Sequence, residues 1–244
     1  MLVMGAIKII IHGDLNHFSE KKWKDHLIDY VFDEKISLKH ILEAEGIPHP
    51  EVGFVRIGNR EIQLDYHVQD GDVIDVYPYN AKYNSLKPEE MRFILDNHLG
   101  KLCDYLRLLG FDSLYDPDWV DETLAELGDQ QNRILLTRDR GLLKRKRVHR
   151  GYCVREDDPH EQVDEIIQHF GLENAVKPLR RCSRCNGLLE KVDKQEILDQ
   201  LQPLTRKYYD EFMRCPDCGQ IYWKGSHYDR MQEFIAKYSP KNQE

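Results

Sequence analysis

From its start to about Tyr79, the chain alternates short apolar runs with turn-forming residues. The runs GAIKIIIHG, VGFVRIGN and DGDVIDVYP favour strands, since each contains a short apolar stretch rich in Val or Ile. The run SLKHILEAEG instead places Leu38, Ile41 and Leu42 on one face of a helix, and Gly46 is placed to end that helix. The pattern therefore predicts a compact α+β unit with the order strand, helix, strand, strand.

Between Pro88 and Lys177, apolar strands alternate with amphipathic helices. The strand candidates are MRFILD, FDSLY, RILLTRD and GYCVRE, and the helix candidates are GKLCDYLRLLG, WVDETLAELG, GLLKRK and EQVDEIIQHFG. Gly110, Gly128 and Gly171 lie where C-terminal helix caps are expected. Strand–helix repetition of this kind predicts a parallel sheet covered by helices on both sides.

From Lys177 onward the alternation ends and cysteine pairs take over, so we predict three domains. They comprise residues 1–82, 89–176 and 177–244, the last with a C-terminal helix. The first domain resembles the β-grasp, ubiquitin-like fold, and DGDVIDVYP resembles the last strand of its small sulfur carriers. Those carriers need a free Gly-Gly end, whereas this strand continues into NAKYNSLKPEE. The resemblance thus favours a docking or regulatory module, or a plain packing domain, over sulfur transfer.

Composition and the start of the chain predict a folded cytoplasmic protein. Hydrophobic residues make up 41% of the 244 residues, which is ample for real cores. No stretch approaches the roughly 20 continuous apolar residues of a membrane span, so no membrane partner is expected. The start, MLVMGAIKIIIHGD, has neither a basic leader nor a small-residue cleavage site.

Charge is distributed unevenly, although the formal net charge is −8. Acidic residues outnumber basic ones in the first domain, whereas Asp139 is the one acid in the stretch from Arg133 to Arg155, here called the basic segment. Such asymmetry indicates domains with different partners. A run of charged residues is also typical of a solvent-exposed face that binds nothing. Charge alone therefore does not show that the basic segment binds a nucleic acid.

Acidic side chains follow several of the predicted parallel strands. Asp96 ends MRFILD, Asp139 follows RILLT, and Asp121 and Glu122 begin the helix before that second strand. Two further acids, Asp157 and Asp158, follow GYCVRE. Ligands of open parallel sheets bind at the carboxyl ends of the strands. Carboxylates that converge there repel one another unless a divalent cation neutralises them, which predicts Mg²⁺ or Mn²⁺.

Each of these acids also has a purely structural interpretation. Asp96 and Asp139 can cap helices, while Asp121 and Glu122 can simply complement a helix dipole. The repeated placement at strand ends favours Asp96 and Asp139 as Mg²⁺ or Mn²⁺ ligands. The sequence does not choose the acid that completes the site.

The stretch FILDNHLGKLCDYLRLLGFD, taken with ILLTRDRGLLKRK, resembles the Mut-seven C-terminal RNase family. Its domain resembles the PIN nuclease fold and is followed by a zinc ribbon; some members carry an N-terminal ubiquitin-like domain. The resemblance covers residues from Met91 to Met231 and implies that Asp96 and Asp139 are catalytic acids, with Asp121 or Glu122 as the helix acid. The implied fold class is α/β: a PIN-like parallel-sheet domain with an appended zinc ribbon, preceded by an α+β ubiquitin-like β-grasp domain.

Cations near these acids are the candidate RNA-binding residues, because Arg and Lys hold phosphates beside a metal cluster. They are Lys101, Arg107, Arg138, Arg140, Lys144, Arg145, Lys146 and Arg147.

The motifs RCSRCNG and RCPDCGQ supply two Cys-x-x-Cys pairs. Their thiolates, from Cys182, Cys185, Cys215 and Cys218, predict a tetrahedral structural Zn²⁺ site, with a redox dithiol as the alternative. The segment KVDKQEILDQL can form an inserted helix between the pairs. Cys103 and Cys153 fall in helix and strand patterns and are expected to be buried free thiols.

Basic and aromatic residues are interleaved in the same region. They are Arg180, Arg181, Arg184, Arg214 and Lys224, with Tyr222, Trp223 and Tyr228. Such residues can bind phosphates while stacking bases of single-stranded RNA. Aromatic residues also commonly form the core of a small zinc module, and the sequence leaves both interpretations open.

The leading hypothesis is a cytoplasmic, divalent-metal-dependent ribonuclease with a structural zinc ion. Its partners would be RNA and a protein that docks on the ubiquitin-like domain. The alternative is a non-catalytic RNA-binding adaptor, in which the PIN-like domain and zinc ribbon hold RNA while the ubiquitin-like domain recruits a protein.

Overall fold

The computed structural model describes residues 5–19, 26–79, 87 and 91–238, and the side chains of residues 226–230 fall outside that description. Most of the expected junction between the first two domains, residues 80–86 and 88–90, also lies outside it. The chain divides into two compact units. The first unit comprises Met1–Ser85 with Trp119–Arg155, and the second comprises Leu86–Asp118 with Glu156–Glu244. Residues 89–176 thus contribute to both units, and the domain boundaries remain a prediction.

In its described residues, the N-terminal part of the first unit is a five-stranded sheet with one α-helix and two short 3-10 helices. Its elements are β1 (Gly5–Ile11), β2 (Leu27–Phe32), α1 (Leu38–Ala44), β3 (Val52–Ile57), β4 (Arg60–Ile62) and β5 (Val73–Pro78). The strand order is β2-β1-β5-β3-β4. The central pair β1–β5 is parallel, and the other neighbours are antiparallel.

The core of this sheet comes from the alternation that the sequence shows. In β1, Ile7, Ile9 and Ile11 are buried, while the residues between them are not. Helix α1 buries Leu38, Ile41 and Leu42, as its pattern predicts. The predicted elements are confirmed, but β2 and β4 were not foreseen. Strand β2 lies at the sheet edge, where Val31 is 60% exposed, so LIDYVF lacks a clear apolar face.

The middle of the chain confirms the predicted strand–helix alternation. The elements are β6 (Arg92–Leu95), α2 (Gly100–Leu108), β7 (Asp112–Leu114), α3 (Asp121–Gln130), β8 (Ile134–Thr137), α4 (Arg140–Leu143), β9 (Gly151–Cys153) and α5 (Pro159–Phe170). Strands β6 and β7 pair in parallel in the second unit, and β8 and β9 pair in parallel in the first. All four residues of β8 are buried, as expected of a strand covered on both faces.

Two of the three expected glycine caps are confirmed. Gly110 and Gly171 follow α2 and α5 with φ of 96° and 64°. A side chain at Gly110 would collide with the backbone of Lys177, so the glycine also permits a close chain approach. The expectation for Gly128 is wrong, because this buried residue lies inside α3. Asn132 instead takes the left-handed conformation after that helix, with φ of 52°.

The C-terminal region is a small antiparallel sheet followed by a helix. It contains β10 (Glu190–Val192), α6 (Pro203–Tyr208), β11 (Phe212–Arg214), β12 (Ile221–Trp223) and α7 (Ser226–Tyr238), with strand order β10-β11-β12. The expected insertion is a 3-10 helix over Lys194–Gln200, followed by α6. Ile197, Leu201 and Phe212 form its small core. Among the described residues, no helix combines the length and apolarity that a membrane crossing requires.

Candidate functional site

Asp96 follows β6 directly, at the carboxyl end of the strand. Its side chain is 6% exposed, and its Oδ1 accepts a 2.9 Å hydrogen bond from His98 N–H. This bond caps the short 3-10 helix over Asn97–Leu99. His98 is 76% exposed, with Nδ1 3.6 Å from the same carboxylate oxygen. The strand end and the cap together fix the position of the Asp96 carboxylate.

Tyr115 holds the loop that follows Asp96. Its hydroxyl donates a 3.1 Å hydrogen bond to the carbonyl of Asn97. A Cβ at Gly100 would lie 2.8 Å from that hydroxyl, so glycine is needed for the close contact. Burial, the Cys103 thiol and nearby carboxylates, Asp96 among them, raise the pKa of Tyr115. The hydroxyl therefore stays a hydrogen-bond donor at neutral pH.

Asp139 follows the carboxyl end of β8 after one intervening residue, Arg138. Thr137 Oγ1 accepts a 2.9 Å hydrogen bond from Asp139 N–H. The Asp139 Oδ1 in turn accepts from Gly141 N–H at 2.6 Å and from Leu142 N–H at 3.3 Å, which caps α4. The residue is exposed. The capping interpretation is thus confirmed for both strand-end acids, and a carboxylate that caps through one oxygen can still offer the other to an ion.

Asp121 and Glu122 begin α3 and lie beside one cation of the basic segment. Arg145 donates from Nη2 to Asp121 Oδ2 and from Nη1 to Glu122 Oε2, both at 3.1 Å. Their side chains are largely solvent-accessible, and exposed pairs of this kind contribute little to stability. A metal ion or a phosphate can therefore replace either partner at small cost.

The predicted phosphate-binding cations have different surroundings. Lys101, Arg138 and Lys146 are exposed. The guanidinium of Arg140 lies 5.1 Å from the ring centre of Phe18. Three others are engaged by acids or carbonyls: Arg145 as above, Arg147 with Glu126 at 3.3 Å, and Lys144 with the carbonyl of Glu43 at 2.7 Å.

Arg107 needs a correction, because it has a structural role rather than an exposed phosphate-binding one. It is 4% exposed, and its Nε donates to the carbonyl of Ser113 at 2.8 Å. Its Nη1 donates to the carbonyls of Ser183 and Arg184 at 2.9 and 3.3 Å. Arg107 thus ties the first cysteine pair to β7, and no signal in the sequence separates it from an exposed helical arginine.

A buried carboxylate joins the N-terminal sheet to the basic segment within the first unit, and no sequence pattern indicated it. Glu51 is 2% exposed, and its oxygens accept from Cys153 N–H and, at 3.3 Å, from Arg155 Nη2. The Arg155 guanidinium also lies 5.0 Å from the ring centre of Tyr152 and 5.8 Å from that of Phe18. The N-terminal sheet is therefore anchored to the end of β9.

We expect Glu51→Gln to lower the free energy of unfolding by about 1–3 kcal/mol, because the neutral amide leaves a mostly buried guanidinium poorly compensated. Urea denaturation of the full chain measures this change. Glu61→Gln, at an exposed position of β4, serves as the control and should change stability by less than about 0.5 kcal/mol. Equal stability of Glu51→Gln and the parent would show that the contact contributes nothing.

The four predicted zinc ligands converge. Their sulfur atoms all lie within 4.8 Å of one another, with Cys182–Cys218 at 3.6 Å and Cys185–Cys215 at 3.4 Å. Sulfurs around a tetrahedral zinc ion with bonds of about 2.3 Å lie roughly 3.8 Å apart, so the donor set fits zinc. In the part of the chain that the structure describes, no other set of three or more Cys, His, Asp or Glu side chains gathers its ligand atoms in this way.

Tight turns and a tyrosine support the cysteine cluster. Asn186 and Gly219 have φ of 69° and 74°, which closes the turn after each pair. The hydroxyl of Tyr222 lies 3.0 Å from Cys182 Sγ and accepts a hydrogen bond from Ser183 N–H. Burial raises the pKa of the Cys182 thiol, but hydrogen bonds to its sulfur, the one from Tyr222 above all, lower the pKa to about 7. A lower pKa favours the thiolate that binds zinc.

The two remaining cysteines are buried and form no disulfide, as predicted. Burial raises the pKa of Cys103 to about 12, so this thiol is unreactive at neutral pH.

Two family models match the chain. One is described as the Mut7-C RNAse domain and matches residues 91–235, more than half of the chain. The other is described as Mut7-C ubiquitin and matches residues 4–84. No curated protein and no solved structure matches the chain in the corresponding comparisons.

Proposed function

The chain belongs to the Mut7-C RNase domain family and carries a Mut7-C ubiquitin-like domain before it, and on that premise we propose that it is a divalent-metal-dependent ribonuclease. It hydrolyses RNA phosphodiester bonds with Asp96, Asp139 and one or both of Asp121 and Glu122 as metal-binding acids. A cytoplasmic location and a protein partner for the ubiquitin-like domain belong to the same proposal.

The observation that carries this proposal is the like placement of Asp96 and Asp139. Each follows a buried parallel strand, and each is fixed by a hydrogen bond to backbone N–H groups. Parallel sheets bind ligands at this end of their strands. An all-carboxylate donor set fits Mg²⁺ or Mn²⁺, which prefer oxygen.

When bound, such an ion supplies an activated water and stabilises charge on the leaving oxygen. The chain itself positions the substrate: Lys101, Arg138 and Lys146 are exposed and can bind phosphates. Within its own unit, each of Asp96 and Asp139 is held by the helix cap that its side chain forms.

One observation favours a second candidate, a non-catalytic RNA-binding adaptor. Arg145 already pairs with both Asp121 and Glu122, and capping alone accounts for Asp96 and Asp139. In that case the acids would need no divalent ion.

The deciding experiment combines cleavage with metal binding. Purified full-length protein is exchanged into ion-free buffer, because a strong chelator would also strip zinc, and is then given labelled single-stranded RNA with Mg²⁺ or Mn²⁺. We expect cleavage only with the added ion, and calorimetric binding of Mn²⁺ that Asp96→Asn abolishes. If the protein binds RNA but does not cleave it, and if no Mn²⁺ binding depends on Asp96, the ribonuclease proposal fails and the adaptor is favoured.

We also expect Lys146→Gln to weaken RNA binding modestly, because it removes one exposed cation from the basic segment. The slope of log affinity against log salt should fall by about 0.7–0.9, the value for one released counterion. Anisotropy titrations of a labelled RNA at several salt concentrations measure the slope. Unchanged affinity and slope would place Lys146 outside the RNA-binding surface.

A further inference from the structure

The C-terminal zinc module contains an open polar cavity of about 420 Å³. Its functional side chains are Arg184, Gln200, Gln202, Thr205, Gln220 and Trp223. None of the described residues that line it is acidic, although acids outnumber bases in the chain as a whole. The volume falls in the range typical of small-ligand sites. We call it the ribbon cavity.

Strand β12 lies between the metal centre and the ribbon cavity, whose lining also includes the predicted zinc ligand Cys218. Successive side chains of a strand point to opposite faces, and Tyr222 contacts Cys182 while Ile221 and Trp223 line the cavity. Tyr222 is thus committed to the metal centre and is not available for base stacking. The side chain of Tyr228 lies outside the described residues.

Trp223 is supported on one side and open on the other. It is directly opposite Phe212 in the β11–β12 register, and their ring centres are 6.5 Å apart. Phe212 is buried, whereas Trp223 remains 39% exposed. A Cβ at Gly225 would lie 2.7 Å from Trp223 Nε1, so the glycine leaves room for the indole. Trp223 therefore forms an aromatic surface on the cavity wall that Phe212 supports from one side.

Cations accompany this surface. Arg184 lines the cavity, and its backbone is held by the hydrogen bond from Arg107 to its carbonyl. Arg214 lies directly opposite Ile221, so its side chain is on the same face of the sheet. Both arginines are exposed and can meet phosphates.

We infer that the ribbon cavity binds one unpaired base of single-stranded RNA. Trp223 stacks on the base, the amides of Gln200, Gln202 and Gln220 face its hydrogen-bonding edge, and Arg184 meets the adjoining phosphate. An aromatic surface, side-chain amides and a cation are the groups that recognise unstacked nucleotides. The inference rests on the proposed function, because RNA is the proposed substrate.

The test measures RNA affinity in the absence of Mg²⁺ and Mn²⁺, where no cleavage is expected. Fluorescence anisotropy with a single-stranded RNA should show about tenfold or greater loss of affinity for Trp223→Ala, and near-parent affinity for Trp223→Phe. Tyr208→Ala is the matched control, since Tyr208 is an exposed aromatic residue of the same module that does not line the cavity. Zinc content and the melting temperature report whether each variant is folded.

Binding and cleavage separate this inference from the proposed function. If the parent cleaves RNA with added Mg²⁺ or Mn²⁺ and Trp223→Ala weakens RNA binding, both stand. If neither the parent nor any variant cleaves RNA, the proposed function fails. A loss of RNA affinity in Trp223→Ala would still support base binding in the ribbon cavity. The inference is wrong if folded Trp223→Ala binds single-stranded RNA as tightly as the parent. It is also wrong if the substitution lowers the affinity for double-stranded RNA by the same factor.

Discussion

Asp139→Asn is expected to lower metal-dependent RNA cleavage by at least about 100-fold while the protein stays folded. Asparagine keeps a side-chain oxygen that can accept from Gly141 and Leu142, so α4 remains capped. It removes the negative charge that a hard divalent ion requires of its ligands. Loss of several kcal/mol of metal-derived stabilisation corresponds to this rate change. Single-turnover cleavage at saturating RNA measures it, together with Mn²⁺ calorimetry.

Asp158→Asn is the matched control for that experiment. Asp158 caps α5 as Asp139 caps α4, by accepting from the N–H groups of His160 and Glu161 at 2.8 and 3.4 Å. It follows β9 less directly than Asp139 follows β8, and the proposed function assigns it no metal. We expect near-parent cleavage from Asp158→Asn. If Asp139→Asn cleaves as fast as the parent, the proposed role of Asp139 is wrong; if the two variants fall equally, loss of a cap explains the effect.

Loss of zinc is expected to unfold the C-terminal module. The three strands of its sheet have three residues each, and its core rests on Ile197, Leu201 and Phe212. A core of this size contributes little, whereas a structural zinc site contributes on the order of 10 kcal/mol at neutral pH. We therefore expect Cys215→Ser to lose zinc and to expose this module to proteolysis.

Elemental analysis and limited proteolysis of the full chain measure that outcome. Replacement of zinc by Co²⁺ adds a spectroscopic check, since thiolate ligation gives intense absorption in the parent that Cys215→Ser should alter. Cys103→Ala, a buried cysteine outside the cluster, should keep one zinc per chain. Stoichiometric zinc and unchanged protease resistance in Cys215→Ser would refute a structural site at these four cysteines.

Local chemistry was predictable from the sequence wherever it depends on neighbouring residues. The alternation of strands and helices, the left-handed glycines Gly110 and Gly171, and the cysteine turns at Asn186 and Gly219 are all set within a few positions. The strand-end placement of Asp96 and Asp139 follows from the same alternation. The sequence left two roles open for these acids, helix capping and metal binding. The structure confirms helix capping, and metal binding stays a prediction.

Features that depend on distant partners were missed. Arg107 is buried because carbonyls of Ser183 and Arg184 reach it from the first cysteine pair, which its helix does not reveal. Gly128 looks like a cap in sequence but is buried within α3, where the helix continues to Gln130. The role of Glu51 depends on residues far along the chain, so no local pattern could indicate it.

That separation has a consequence for synthesis on the ribosome. Glu51 is 102 residues from Cys153 and 104 from Arg155. At about 5–20 residues per second, Glu51 emerges roughly 5–20 s before its anchoring partners emerge. During that interval Glu51 faces water rather than Arg155, and the first unit closes only after β9 leaves the exit tunnel. The nascent chain should therefore gain protease resistance in two steps, the second after Arg155 has emerged.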